Sequence, residues 1–245
     1  KCQIDVALPI LEDLKIKSYF FIYTSIFDGK PDYLEIFRYF RMNYFSSINE
    51  FYSIFFDSID YDLESYFDDQ KSLINIKKER YNFYTYEDIK FRIVRDYLLG
   101  KDNYEKYMFK IMDSMKFDHN EVIPKLFFEK DDIVMLDNLG HKIGLHTHNH
   151  PTKIEKMTYN QQNYEYTQNK DALVKILNKS KDFINSSSHP LGSYNKDSLD
   201  ILSNLGIKLA FKDNMRIERE KGMKKINNSL LEIAREDHIE IFNKM

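Results

Sequence analysis

Four of the chain's seven histidines lie between positions 141 and 150, in Gly140-His141-Lys142-Ile143-Gly144-Leu145-His146-Thr147-His148-Asn149-His150-Pro151. A single histidine in a half-buried strand is ordinarily a satisfied core residue. Four so close together, flanked by glycines, resist explanation by packing. Neutral imidazole is a good ligand for Zn2+ and other borderline divalent metals, and two nitrogens from one short segment can share an ion. His146 and His150 form the best pair, because a five-residue segment that begins and ends in histidine can turn both rings to one ion. Thr147 can support that turn through its hydroxyl. His148 lies between them and is expected to point elsewhere. His141 precedes the strand and is expected to be structural or exposed.

The chemistry such a pair supports is metal-assisted hydrolysis. Catalytic zinc sites use three protein ligands and leave one position for water. The metal lowers the pKa of that water and polarises a carbonyl, while a nearby carboxylate takes the proton. Spacing alone does not place this carboxylate. Asp5, Asp28 and Asp237 all stay open as candidates.

The elements that must position these residues alternate between helix and strand. Val6 to Leu14 reads as a helix with Pro9 in its first turn, where proline is tolerated. Residues 16–23, rich in β-branched and aromatic side chains, read as a buried strand. Asp131 to Leu139 reads as a helix ended by Gly140, and Lys142 to His146 as a short strand feeding the histidine loop. Next come a helix over Lys170 to Asn185, a strand end and loop over Ser186 to Ser193, a helix over Lys196 to Leu205 closed by Gly206, and a strand over Ile207 to Phe211. Repeated helix-glycine-strand units favour a parallel β/α architecture, with catalytic loops after the strands. Between about residues 31 and 128 the texture changes to helical spacing of aromatics, with helices over Tyr86 to Leu99 and Asn103 to Met115. This stretch reads as a helical insertion, with its aromatics as its own core, inside a single domain spanning 1–245.

Composition narrows the function classes. The chain has 245 residues, 42% hydrophobic and 31% charged, which suits a globular protein. Its net charge of -3 gives no case for a nucleic-acid surface. Cys2 is the single cysteine and permits no internal disulfide. No run approaches the roughly 20 apolar residues needed to cross a bilayer. With no leader-like beginning either, the cytoplasm is the default expectation.

The segment from Gly140 to Pro151 resembles the second motif of the NodB-homology polysaccharide deacetylases, carbohydrate esterase family four. That motif is His-Ser/Thr-x-x-His, preceded by Gly-His-x-Ile-Gly-x and with Pro after it. A second segment, Ser188-His189-Pro190-Leu191-Gly192-Ser193-Tyr194-Asn195, resembles the family's third motif, Arg-Pro-Pro-x-Gly. Here Ser188 stands in the arginine's place and His189 in that of the first proline. Residues Cys2 to Ile22 resemble the stretch directly after the family's first motif, Thr-Phe-Asp-Asp-Gly, which the chain does not contain. More weakly, Glu232-Ile233-Ala234-Arg235-Glu236-Asp237-His238 resembles a late Pro-Arg-x-Asp segment of some sugar deacetylases. The matches cover the first 25 residues and about 130 to 240.

This resemblance implies an irregular (β/α) barrel of the deacetylase type and hydrolytic removal of N-acetyl groups from an acetamido sugar or glycan. It implies Zn2+, or another divalent transition metal, on His146 and His150. The base aspartate and a further metal-binding aspartate are expected before Lys1. His189, Pro190, Leu191 and Gly192 are expected to line the substrate groove. Arg235 and Asp237 are expected to support the base, and His238 to act as general acid. An O-acetyl glycan esterase and a noncatalytic carbohydrate-binding relative are the alternatives.

Overall fold

In the computed structural model, residues 1–81, 83–236 and 241–242 are described, and they divide into two compact units, residues 1–32 with 127–245 and residues 33–126. The first unit is built on four parallel strands: β1 (Tyr19–Ile22), β2 (Lys142–Leu145), β3 (Ser186–Ser188) and β4 (Leu209–Phe211). They pair in sequential order β1-β2-β3-β4. Tyr19 to Ile22 face Lys142 to Leu145, Leu145 faces Ser187, and Ser186 to Ser188 face Leu209 to Phe211. A further parallel bridge joins Phe211 to Ile233. This is the α/β class read from the sequence, with consecutive β/α units ordered side by side as in a barrel of this type.

Helix α1 (Leu8–Asp13) leads into β1, and α2 (Lys130–Asn138), α3 (Tyr159–Leu177) and α4 (Lys196–Asn204) lie between successive strands. Each of the last three starts at a reciprocal cap, formed by Glu129 with Asp132, Thr158 with Gln161, and Asn195 with Ser198. Gly140 and Gly206 leave α2 and α4 at positive φ and turn the chain into β2 and β4. The helix expected over 170–185 needs correction. The cap at Thr158 starts α3 at Tyr159, and Asn178 in left-handed backbone ends it. Beyond it only a single turn, Lys181–Phe183, remains helical.

The core of this unit joins Ile22, Ile143 and Leu145 of the sheet to Leu136 of α2, Tyr166 and Leu173 of α3, and Ile201 of α4. At β2 the packing admits no side chain at position 144. A Cβ there would lie 2.6 Å from the Phe21 ring and 2.7 Å from the Ser186 hydroxyl.

The second unit is helical, and Phe37, Phe40, Phe51, Phe55, Phe91 and Tyr104 are buried within it. The Phe55 and Phe91 rings meet edge to face with centroids 4.9 Å apart, as do Phe37 and Tyr104 at 5.5 Å. The helix beginning at Tyr86 runs to Ile93 and continues as a wider turn from Val94 to Leu99. The next helix starts at Gly100 rather than Asn103. Among the described residues no helix is long and apolar enough to cross a membrane.

Gly144→Ala is expected to lower unfolding stability by about 1–3 kcal/mol, the range for overpacking a filled site. Urea denaturation should show this, while Lys142→Ala on the exposed end of the same strand should stay within about 0.5 kcal/mol of the parent. Equal midpoints for Gly144→Ala and the parent would refute the tight packing of Phe21 against β2.

Candidate metal centre

The residues of interest lie just past the carboxyl ends of the strands. Tyr23 and Thr24 leave β1, His146 leaves β2, and His189 leaves β3. The loop from His146 to His150 contains left-handed backbone at Thr147 (φ 65°) and His150 (φ 53°). This conformation is uncommon outside glycine and an outlier for a β-branched residue, so the surroundings must hold it.

The loop brings the rings of His146 and His150 together, with centroids 4.9 Å apart and planes inclined by 40°. Two imidazoles bound to one tetrahedral ion through bonds of about 2.1 Å also place their centroids on the order of 5 Å apart. The tautomers fit as well. His146 Nδ1 lies 2.9 Å from the Ser188 carbonyl, which can only accept, so this nitrogen carries the proton. His150 Nδ1 lies 3.4 Å from a carboxylate oxygen of Asp32, which favours a proton there too. Both Nε2 atoms are left with their lone pairs, the arrangement of metal-binding histidines whose far nitrogen is fixed by a carbonyl or carboxylate. Burial, reinforced by His150, pushes the His146 imidazolium down to about 4, so the ring is neutral at ordinary pH.

The remaining histidines of the segment point elsewhere. His148 Nδ1 lies 3.0 Å from the Thr24 hydroxyl, and its Nε2 lies 3.5 Å from Asp28. His141 is buried, accepts the Ser18 N–H at 3.1 Å, and sets Nε2 3.1 Å from Glu12, so it is structural.

Among the candidate carboxylates, Asp28 reaches His148 rather than the pair, and Asp5 is exposed in the first helical turn. Asp237 and His238 lie outside the described residues. Among the described residues no third histidine, cysteine, aspartate or glutamate completes a group able to hold an ion. Thus the two histidines fit two positions of a metal centre, and Asp32 stands behind one of them.

Three residues that sequence reasoning missed hold this loop. Asp32 lies in irregular chain three residues past Gly29, with no spacing signal. Glu165 and Asn169 stand one turn apart on α3, both buried. Glu165 accepts the backbone N–H of His148 at 3.0 Å and of Asn149 at 2.7 Å, and the Asn149 side-chain amide at 2.7 Å. Asn169 accepts the His146 N–H at 2.9 Å and donates to the Ile22 carbonyl at 2.8 Å and the Thr24 hydroxyl at 3.1 Å. The signal available in the sequence was the Thr158-x-x-Gln161 cap, which puts both residues on a helix.

A cavity of about 560 Å³ opens on His146 and is lined also by Ser188, Arg235, Tyr19, Phe21 and Phe211. The Ser188 hydroxyl is buried without a partner among the described residues. Arg235 donates from Nε to the Lys212 carbonyl at 2.9 Å, and burial draws its guanidinium below the ordinary value against the pull of Asp213.

A second cavity, of about 660 Å³, is lined by Leu191 and Gly192 together with Tyr194, Asp213 and Lys221. Gly192 sits at φ 67°, a conformation that strains any other residue, and a Cβ there would meet the Asp213 carboxylate. His189 and Pro190 are buried and line neither of these two cavities. His189 instead stacks on Tyr194 at 4.3 Å and donates from Nε2 to the Leu231 carbonyl at 2.9 Å. Its Nδ1 has no partner among the described residues, and burial pushes its imidazolium down to about 4.

The sequence model of a family described as "Polysaccharide deacetylase" matches residues 97–210. Among solved structures, the chain is similar to the Streptococcus pyogenes deacetylase PplD in complex with acetate. The identity is 26% over 47% of this chain and 46% of that one, with a TM-score of 0.39. The deacetylase domain of BpsB from Bordetella bronchiseptica is 12% identical over 48% and 50% of the two chains, at TM-score 0.37. A de-N-acetylase from Aggregatibacter actinomycetemcomitans is 14% identical over 60% and 72%, at TM-score 0.37. The chain thus spans about half the length of the first two. No curated protein matches it.

Burial of a neutral His189 makes stability depend on pH. Its folded pKa of about 4 lies below the ordinary 6.5, so the unfolded chain takes up the proton first. The contribution is complete above about pH 6.5 and is lost as pH falls towards 4, up to on the order of 3 kcal/mol. His189→Gln keeps an N–H for the Leu231 carbonyl and cannot titrate. Urea midpoints at pH 7.5 and 4.5 should fall less for this variant than for the parent. Parallel losses in the two proteins would contradict a neutral buried imidazole.

Proposed function

We propose that the chain, whose residues 97–210 match the sequence model of the polysaccharide deacetylases, is a metal-dependent hydrolase that removes N-acetyl groups from an acetamido sugar or glycan. The observation that carries this reading is the pairing of His146 and His150, 4.9 Å apart, with both Nδ1 atoms engaged from behind. These two residues would hold Zn2+ or another divalent transition metal through Nε2, with a carboxylate from beyond the described residues as third ligand. When bound, the metal would supply Lewis-acid activation of the acetyl carbonyl and of water.

The chain's own residues suit the rest of that task. Tyr19, Phe21 and Phe211 give the cavity beside His146 an apolar wall for the acetyl methyl group. The Arg235 guanidinium lines the same cavity, where a positive charge favours the negative charge that develops on a carbonyl oxygen. The Ser188 hydroxyl, buried without a partner among the described residues, would offer a donor beside it. Leu191, largely exposed, and Gly192 would shape the rim that receives the sugar. Asp237 and His238 keep their proposed roles as support for the base and as proton donor to the leaving amine.

Metal content measured beside acetate release from acetamido sugars tests this directly. The parent chain should carry metal and release acetate. His146→Ala and His150→Ala should lose the metal, and activity should fall by more than about 100-fold, beyond what loss of an outer partner produces. Release from O-acetylated sugars alone would assign the esterase branch. A folded parent that binds no metal would overturn the mechanism and favour a carbohydrate-binding role.

A further inference from the structure

Glu165 is a buried carboxylate on a helix, and no cation pairs with it among the described residues. Burying a carboxylate is unfavourable unless its oxygens are satisfied. Here they are satisfied by three N–H groups, all from His148 and Asn149, inside the span that separates His146 from His150. One turn later Asn169 holds the N–H of His146 itself and ties it to the end of β1 through Ile22 and Thr24. The His148 carbonyl is held from the other side by the N–H groups of Thr24 and Ser25, at 3.2 and 2.9 Å. The segment so gripped is the one with left-handed backbone at Thr147 and His150.

We infer that Glu165 and Asn169 are positioning residues that set the divalent-metal affinity of the His146–His150 pair, by holding the backbone between them in its strained form. The inference rests on the proposed metal site. Neither side chain touches the metal-facing nitrogens. Both act by fixing the two Cα positions from which the rings project, and a loop freed from them would relax Thr147 towards ordinary backbone and swing the rings apart. Without Glu165 the ion would have to draw the loop into place each time it bound, and the affinity would fall accordingly.

The test uses the full chain, with Zn2+ affinity read by competition against a chromogenic chelator and Co2+ coordination read from visible absorption. Glu165→Ala should weaken Zn2+ binding by about 10–100-fold, the range for outer partners of metal-binding histidines. It should also change the Co2+ spectrum while the far-ultraviolet dichroism stays that of the parent. Glu165→Gln should recover most of the affinity. Its amide oxygen can take both loop N–H groups, and Asn149 can turn its own oxygen towards the new amide nitrogen. Asn169→Asp should also weaken binding, because it keeps an acceptor for His146 but sets a carboxylate oxygen against the Ile22 carbonyl. Gln168→Ala, exposed on the same helix, should change neither readout.

If Glu165→Ala does not fold, Glu165→Gln and Asn169→Asp carry the comparison. A parent that binds Co2+ and Zn2+ beside folded Glu165 and Asn169 variants of equal affinity and unchanged spectrum would overturn this inference alone. A parent that binds neither ion would overturn the metal reading and this inference with it.

Discussion

The site depends on one constraint: the chain between His146 and His150 must reverse within three residues so that both rings point the same way. It does so with left-handed backbone at Thr147 and His150. Each such residue costs of order 1–3 kcal/mol. The hydrogen bonds of Glu165 to three N–H groups are of the charge-assisted kind, worth about 1.5–3 kcal/mol each. The two magnitudes are comparable, so the grip of α3 is sufficient to keep the loop in a form it would not take alone. The position of α3 is in turn set by Tyr166 and Leu173, buried in the core beneath the sheet strands. Core packing therefore reaches the histidines through two polar side chains.

Much of this was legible in the sequence, and the part that was not has specific causes. The pair His146 and His150 stood out because four histidines in one segment have no packing explanation, and Gly140 marked the start of the strand before them. The helix that holds them was misplaced by about ten residues. Its first half, Tyr159 to Lys170, is nearly all polar, so apolar periodicity is faint there, and only the cap at Thr158 marks the start. Glu165 and Asn169 were invisible for a further reason. A glutamate and an asparagine on a polar helix ordinarily face water, and their partners in the histidine loop here include backbone N–H groups 16 to 23 positions away. Backbone donors leave no trace in residue types. Asp32 escaped likewise, because only the fold brings it to His150.

A perturbed imidazole alone would not have located the site. His146 and His189 are both pushed down to about 4, and by the same cause, burial. They differ in what surrounds the unprotonated nitrogen. In His189 it is buried beside the Tyr194 ring with no partner among the described residues. In His146 it lies beside a cavity and a second imidazole. Geometry separates the two where titration cannot, and it shows His189 buried at the turn.

The strands themselves show why the site can form where it does. β3 is three serines, all buried, and β2 carries Gly144 at its centre. Such small residues are poor material for a hydrophobic sheet, yet each makes room for something larger. Gly144 admits the Phe21 ring, which walls the cavity. Ser187 satisfies its hydroxyl on the Leu145 carbonyl at 3.2 Å, so its burial leaves no orphaned donor. Ser188 presents its carbonyl to His146 and is among the residues that line the cavity. The sheet gives up apolar packing at its centre, and the space it opens lies directly beside the imidazole that the loop, gripped by Glu165 and Asn169, holds in place.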